Sequence, residues 1–288
     1  MVRGKRVLKT LFLTGLLLLL AYVIWFTTRI PAQQAAWNKE YQRHPDIQLR
    51  GDMLHINNLR DFRYDDDGEV IEARYVDRRY PLSALKGVWF GLSHFADNGL
   101  AHAFASFEFS DGQFLAVSIE ARLREDQTEY SPISGALRQY TKFVVLATEE
   151  DVIGVRSHIR NNPVYLYPLK GSSLQGHALL LNFLRRADNL SRIPDFYNTL
   201  TDNCLTGLLA ESGRYNDLHH WLDYRIILPG YSDEVLLDHG IINTDDDLIQ
   251  TRLNARVSSA VSPDEKHFSR KIRQGWTPES APADSADP

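Results

Sequence analysis

The chain holds a single cysteine, Cys204, in the run Thr-Asp-Asn-Cys-Leu-Thr. One cysteine cannot close an intrachain disulfide. It is a free thiol, half of an intermolecular bond, or a small buried apolar residue. Thr201 or Asp202 is placed to cap a helix start just before it. In the first turn of such a helix the dipole and the unpaired N–H groups stabilise a thiolate, and Asn203 with nearby backbone amides could bind an oxyanion. Buried mid-helix, the same thiol would be inert.

A thiol nucleophile needs a base, and the segment 101–122 offers one. It reads Ala-His-Ala-Phe-Ala-Ser-Phe-Glu-Phe, then Ser-Asp-Gly, then Gln-Phe-Leu-Ala-Val-Ser-Ile-Glu-Ala-Arg. Gly112 suits the left-handed position of a three-residue hairpin loop, which sets Phe109 opposite Gln113. One face then carries Ala103, Ala105, Phe107 and Phe109 against Ile119, Val117, Leu115 and Gln113, and must be core. The other carries His102, Phe104, Ser106 and Glu108 against Glu120, Ser118, Ala116 and Phe114. A one-residue slip would mix the two sets. The register puts His102 across from Glu120 with Cβ atoms about 5 Å apart. A carboxylate there would hold the imidazole in one tautomer and make it more basic, the base-and-orienter half of a triad. Ser118 and Arg122, on the same strand as Glu120, are candidate supports. An ordinary cross-strand polar pair fits the same pattern. His94, His219 and His220 compete as bases. Adjacent His219 and His220 point to different faces and lack an acidic partner at a diagnostic spacing, so no metal is expected, nor any cofactor.

The elements around these residues follow from pattern. Residues 52–80 alternate apolar and charged side chains about Asp65-Asp66-Asp67-Gly68, as strands joined by a turn. Residues 82–90 form a short helix or strand, 139–159 read as further strand pairing, and 164–167 as a strand closed by Pro168. Leu174, His177, Leu180, Leu181 and Leu184 recur at helical spacing. A second helical stretch runs from Pro194 through Cys204 to about Glu211, and 215–227 holds another short helix. Strands first and helices later predict an α+β domain with an antiparallel sheet and packed helices.

The N-terminus differs in kind. Arg3, Lys5, Arg6 and Lys9 precede an uncharged stretch from Thr10 to Thr28, about 28 Å as a helix, with Trp25 at its far edge. A secretory signal would be shorter and end in a small-x-small site. The run predicts an uncleaved anchor with a cytoplasmic N-terminus and the rest outside, at an inner membrane. The expected organisation is an anchor at 1–29, a juxtamembrane connector at 30–50, an extracytoplasmic domain at 51–275 and a disordered tail at 276–288. With 288 residues, 43% of them hydrophobic, and a net charge of −5, there is material for one sizeable core and no basic footprint for nucleic acid.

Several strings in order resemble the bacterial Lnb N-terminal periplasmic domain family. They are Ala-His-Ala-Phe-Ala-Ser-Phe-Glu-Phe-Ser-Asp-Gly, Val-Ser-Ile-Glu-Ala-Arg, Val-Tyr-Leu-Tyr-Pro-Leu and Pro-Asp-Phe-Tyr-Asn-Thr-Leu-Thr-Asp-Asn-Cys-Leu-Thr. Leu-Pro-Gly-Tyr-Ser-Asp and Asp-His-Gly-Ile-Ile extend the similarity, which covers roughly residues 50–260. The resemblance implies a circularly permuted papain-like fold related to NlpC-type hydrolases. It also implies Cys204 as nucleophile, His102 as base and Glu120 as orienter. The family's namesake is a lipoprotein N-acyltransferase. Two departures stand out: Leu205 replaces the first Thr of the family's Asn-Cys-Thr-Thr, and the namesake's later transmembrane helices have no counterpart here. The expectation is a membrane-anchored cysteine-dependent acyl-transfer enzyme, an acyltransferase or an amidase or esterase, acting on a lipid, lipoprotein or peptidoglycan substrate. The alternative is a non-catalytic envelope module that keeps the fold for binding or assembly.

Overall fold

A computed structural model of the chain describes residues 2–97, 99–127, 129–213 and 223–276. Its strands are β1 (Asp46–Arg50), β2 (Met53–Arg60), β3 (Arg63–Tyr64), β4 (Val70–Glu72), β5 (Tyr75–Pro81), β6 (Leu85–His94), β7 (Ala101–Phe109), β8 (Phe114–Arg122), β9 (Thr141–Ala147) and β10 (Val164–Pro168). Its helices are α1 (Val2–Thr28), α2 (Pro132–Ala136), α3 (Glu149–Gly154), α4 (Ser173–Arg192), α5 (Cys204–Glu211), α6 (Tyr224–Ile227), α7 (Ser232–Asp238), α8 (Leu248–Ala255) and α9 (Phe268–Lys271).

The main sheet runs β1-β2-β9-β8-β7-β6-β10, with β5 also paired to β2. Every pairing is antiparallel except the contact of Arg60 in β2 with Ala147 in β9. The α+β class with a mostly antiparallel sheet therefore holds. So does the hairpin register: Ala105 faces Val117, Phe107 faces Leu115, and the Phe109 amide donates to the Gln113 carbonyl at 3.0 Å. Gly112 adopts φ 88°, as the turn requires.

Both faces of β7 and β8 are covered, which the alternation alone does not reveal. On the face of Ala103, Ala105 and Phe107 lie α4 and α5; Phe183 of α4 meets Phe107 edge-on at 6.3 Å. On the opposite face, the start of α3 and Arg273, just past α9, close over Ser106. There Ser106 Oγ donates to Glu149 at 2.5 Å and Arg273 pairs with the same carboxylate, its guanidinium over the Trp89 ring. Arg60 and Asp151 form a second buried ion pair, joined by the Phe62 amide and the Tyr64 hydroxyl. Charges this deep persist only when they are paired and hydrogen-bonded; here the Arg60–Asp151 pair is held in this way, and in the Glu149–Arg273 pair only Arg273 Nε is left without a partner.

Four segments differ from the sequence expectation. Residues 149–159 are helical, not strand: Thr148 caps α3 by accepting the Asp151 amide, and Glu149, Glu150 and Asp151 occupy its first turn. Those carboxylates favour a helix N-terminus, which outweighs the strand signal of the preceding apolar run. A π-turn, Val155–Ile159, continues it. The second helical stretch begins only at Cys204, since 195–203 is irregular. The segment 30–50 is laced to the domain and contributes β1. At the other end Trp276 is buried and its indole donates to the Leu166 carbonyl at 2.8 Å, so it belongs to the core; 277–288 lie outside the described residues, as do His219 and His220.

Gly91 of β6 lies under the Phe104 ring, and an added Cβ would come within 2.2 Å of it. Gly91→Ala should therefore destabilise the domain by about 1–3 kcal/mol through overpacking, read as a lowered urea midpoint with an unchanged m-value. An unaltered midpoint would mean that the ring can move aside freely.

Candidate active site

The ladder between β7 and β8 ends at Phe104 and Ser118, although β6 follows β7 to Ala101 and β9 follows β8 to Arg122. The two central strands thus part at one end. Because Phe109 and Gln113 are a hydrogen-bonded pair, parity makes Ala103 and Ile119 one as well. The Ala103 amide lacks that partner and donates instead to Cys204 Sγ at 3.4 Å. The start of α5 packs against both strands here, and Gly207 permits it: a Cβ there would lie 2.6 Å from Ile119 Cδ1.

Cys204 is the first residue of α5, so the first-turn placement is realised. The cap is Asn203, not Thr201 or Asp202. Asn203 Oδ1 accepts the Thr206 amide at 2.9 Å and Thr206 Oγ1 accepts the Asn203 amide at 2.8 Å, a reciprocal capping box. Asn203 Nδ2 donates to the Thr199 carbonyl. The Asn203 side chain is thus spent on structure and is not free to bind an oxyanion. The Cys204 amide is also engaged, by Tyr197 Oη at 3.3 Å. The loop before the helix is pinned by buried Lys142, which pairs with Asp195 and Asp202, while Arg186 holds Asp202 and Glu211.

His102 and Glu120 come together, but through an intermediary. Past the end of the ladder they do not meet directly: Nε2 to Oε1 is 3.6 Å. Ser118, the diagonal neighbour, bridges them, with Oγ 2.6 Å from His102 Nε2 and 2.9 Å from Glu120 Oε1. The donor count fixes the tautomer. Ionised Glu120 only accepts, so the Ser118 proton points to it and Ser118 Oγ must accept from His102 Nε2–H. Nδ1 then carries the bare lone pair. That is the nitrogen a base requires. His102 and the Cys204 thiol make no direct hydrogen bond.

Glu120 is held by two residues that sequence patterning did not single out. Arg156, on the π-turn, donates to Oε1 at 3.1 Å, and the Tyr41 hydroxyl donates to Oε2 at 3.0 Å. Burial alone would raise the Glu120 pKa, but Arg156, His102 and Arg60 together hold it well below the usual carboxylate range. Burial pushes His102 down to about 3, with Arg156 adding to the effect and Glu120 opposing it. The expected gain in basicity from Glu120 exists as one contribution and is outweighed. Burial likewise raises the Cys204 pKa, against the lowering influence of the Ala103 and Leu205 amides and Tyr197. Thiol and imidazole are therefore both neutral at rest, not a preformed ion pair.

Arg122 bonds to none of Cys204, His102 and Glu120 and acts at one remove. Its Nε and Nη2 donate to the Tyr41 carbonyl at 2.9 and 2.7 Å, and its guanidinium lies over the Trp37 and Phe143 rings. It fastens the segment that carries Tyr41. His94 faces away, against Tyr165. Ser93, paired with His102 across β6, is buried with its hydroxyl unpartnered. Among the described residues, no group of His, Cys, Asp and Glu is arranged to hold a metal ion. Beside α5 an apolar cavity of about 130 Å³ lies between Leu205, Leu208 and Leu209, the α4 residue Leu179, and Val88 and Ala105 of the sheet.

A family model described as the Lnb N-terminal periplasmic domain matches residues 72–229, just over half of the chain and all three of Cys204, His102 and Glu120. No curated protein and no solved structure matches.

The unfolded chain binds a proton at His102 below its ordinary value of 6.5, whereas the folded chain refuses it until about pH 3. A lowered histidine pKa gives stability that is present above 6.5 and lost as the pH falls. Across pH 6.5 to 4.5 the loss from this residue should reach about 2 kcal/mol. In urea titrations of the full chain in detergent, His102→Gln should show a shallower acid slope than wild type by that amount. Parallel slopes would overturn the assignment of a neutral, buried imidazole.

Proposed function

The chain belongs to the Lnb N-terminal periplasmic domain family, and from that premise we propose a membrane-anchored thiol enzyme that transfers or hydrolyses acyl groups outside the cytoplasm. One observation carries the reading. A lone cysteine at the start of a helix enters the fork of two parting strands with its sulfur on the amide of Ala103, and the residue before Ala103 in the chain is a histidine whose distal nitrogen is tied through Ser118 to a buried, ionised glutamate. A histidine oriented in this way, with its other nitrogen open, is the base arrangement of nucleophilic acyl transfer.

Because both groups are neutral at rest, the proton moves during attack. Cys204 Sγ adds to the carbonyl carbon of an ester or amide as Nδ1 of His102 takes the thiol proton. The imidazolium that forms is stabilised by Glu120 through Ser118. The tetrahedral oxyanion collapses, the leaving alcohol or amine takes the proton from Nδ1, and a Cys204 thioester remains. Water or an amine then attacks the thioester carbonyl as Nδ1 accepts its proton; the second tetrahedral intermediate collapses by breaking the C–S bond, and the departing Cys204 sulfur takes that proton back from Nδ1, which restores both neutral groups. Water gives hydrolysis and an amine gives acyl transfer. The cavity beside Leu205 and Leu209 favours an acyl group with an apolar chain, which suits a lipid or lipoprotein over a peptide substrate.

The anchor is part of the proposal. α1 includes one span, Val7–Thr28, with a mean hydropathy of 2.3 and none of it buried against the domain. Its length and flanking charges suit an uncleaved span with the domain on the outer side of the inner membrane. The second reading, a non-catalytic envelope module, draws on the thiol itself: Cys204 is 3% exposed and makes no bond to His102.

The test uses full-length protein in membranes and an alkyne-tagged, thiol-reactive acyl probe. Cys204→Ala should abolish labelling, and Glu120→Gln should slow it roughly 100-fold while leaving the fold intact. Labelling of Cys204→Ala at the wild-type rate would establish the non-catalytic reading. Normal labelling of Glu120→Gln alone would reduce the site to a Cys–His pair.

A further inference from the structure

The end of α1 is not free of the domain. Arg29 Nη1 donates to the Leu137 carbonyl at 3.0 Å, and its guanidinium lies 4.8 Å from the Trp25 ring and 5.4 Å from the Phe196 ring. Arg138, just past α2, lies 4.9 Å over Phe26. Thr141 Oγ1 donates to the Ala32 carbonyl and Gln33 to that of Arg192. Trp25 is the aromatic that marks the water–lipid boundary of a span. These contacts therefore bring the α2–β9 turn, the end of α4 and the loop before Cys204 to the level of that boundary.

The same corner exposes apolar side chains that nothing in the domain covers. Ile133 of α2 is 73% exposed, Ile193 just past α4 is 75% exposed, and Leu200 is 53% exposed. They are neighbours through the chain. Thr199 Oγ1 donates to the Pro132 carbonyl and Asn198 Nδ2 to the Ala136 carbonyl, which ties the Leu200 loop to α2. Gln33 reaches the residue beside Ile193. Arg29 and Arg138 stand beside them, while Arg192 is paired with Asp188, so the patch is apolar with two cations at its edge, the chemistry of an interfacial phospholipid site.

We propose that this corner, with Ile133, Ile193 and Leu200 as its inserted side chains, is seated in the headgroup layer of the bilayer that holds α1. The domain then rests on the membrane by two contacts, one spanning and one interfacial. The occupant is lipid and not another protein, because the patch is continuous with the end of the span: the residues that flank it are the ones that touch Trp25, Phe26 and Arg29. Of the two ends of α4, the C-terminal end faces the membrane; the N-terminal end, near Leu174, stands about 27 Å further along the helix. The proposal needs α1 to be in a membrane but does not depend on Cys204 acting as a nucleophile.

The test places the full chain, in a Cys204→Ser background, in nanodiscs of phosphatidylcholine and phosphatidylglycerol. Ile133→Cys, Ile193→Cys, Leu200→Cys and Leu174→Cys are each labelled with an environment-sensitive fluorophore. Phosphatidylcholine carrying a nitroxide high on its acyl chain is then included. Emission from positions 133, 193 and 200 should fall roughly twofold or more, and that from exposed position 174 should not change. Equal response at all four positions would overturn the proposal. So would blue-shifted but unquenched emission at the first three, which would mean that protein, not lipid, covers the corner. Neither outcome bears on labelling of Cys204 by an acyl probe.

Discussion

A carboxylate cannot be buried without partners, and Glu120 is buried. Taking it out of water costs several kcal/mol unless its oxygens are satisfied. Ser118, Arg156 and Tyr41 satisfy them, and each comes from a different part of the chain: the same strand, the π-turn after α3, and the segment that follows the anchor. Meeting one electrostatic demand therefore fixes three elements against one another. It also decides the protonation of a neighbour. With Ser118 committed as donor to the carboxylate, His102 has only one tautomer available. The irregular π-turn has a stated purpose in this light, since it delivers Arg156, whose own Nη1 is held by the Val152 carbonyl at 2.8 Å.

The second constraint is a ladder given up. A backbone amide in the middle of a sheet ordinarily bonds to the next strand, worth about 1 kcal/mol net. The Ala103 amide bonds to sulfur, a weaker acceptor. The sheet accepts this because α5 enters the fork and replaces the missing strand contact with buried apolar surface from Leu205, Leu208 and Leu209. Sites that depart from regular structure in this way are where function is commonly found, since packing elsewhere must sustain them.

The hairpin was legible because its information is local: period-two alternation plus one glycine turn left a single register. The site around it was only half legible. Register arithmetic placed His102 opposite Glu120, yet it assumes that strands stay paired, and these part at Ser118. A relay in place of a direct pair is the result. Arg156 and Tyr41 reach Glu120 from 36 and 79 residues away along the chain, and no spacing rule announces such contacts. Two signals were available but overridden. Thr148 before three acidic residues is a helix start, hidden by the apolar run of β9. Asn203 with Thr206 is a capping pair, and it explains why that amide cannot serve chemistry. The burial that lowers the His102 pKa was invisible, because alternation within a hairpin says nothing about what covers its second face.

Residues 30–50 read from sequence as a connector, and connectors are usually lengths of slack. Here the Ala32 and Ala36 carbonyls, Trp37 and Tyr41 are each bonded to or packed on the domain. With α1 in a bilayer, as proposed, so short and fastened a lead leaves the domain almost no vertical reach. Its encounters would then be confined to what drifts past in the plane of the membrane, their rate set by lateral diffusion and surface density and not by concentration in the surrounding volume.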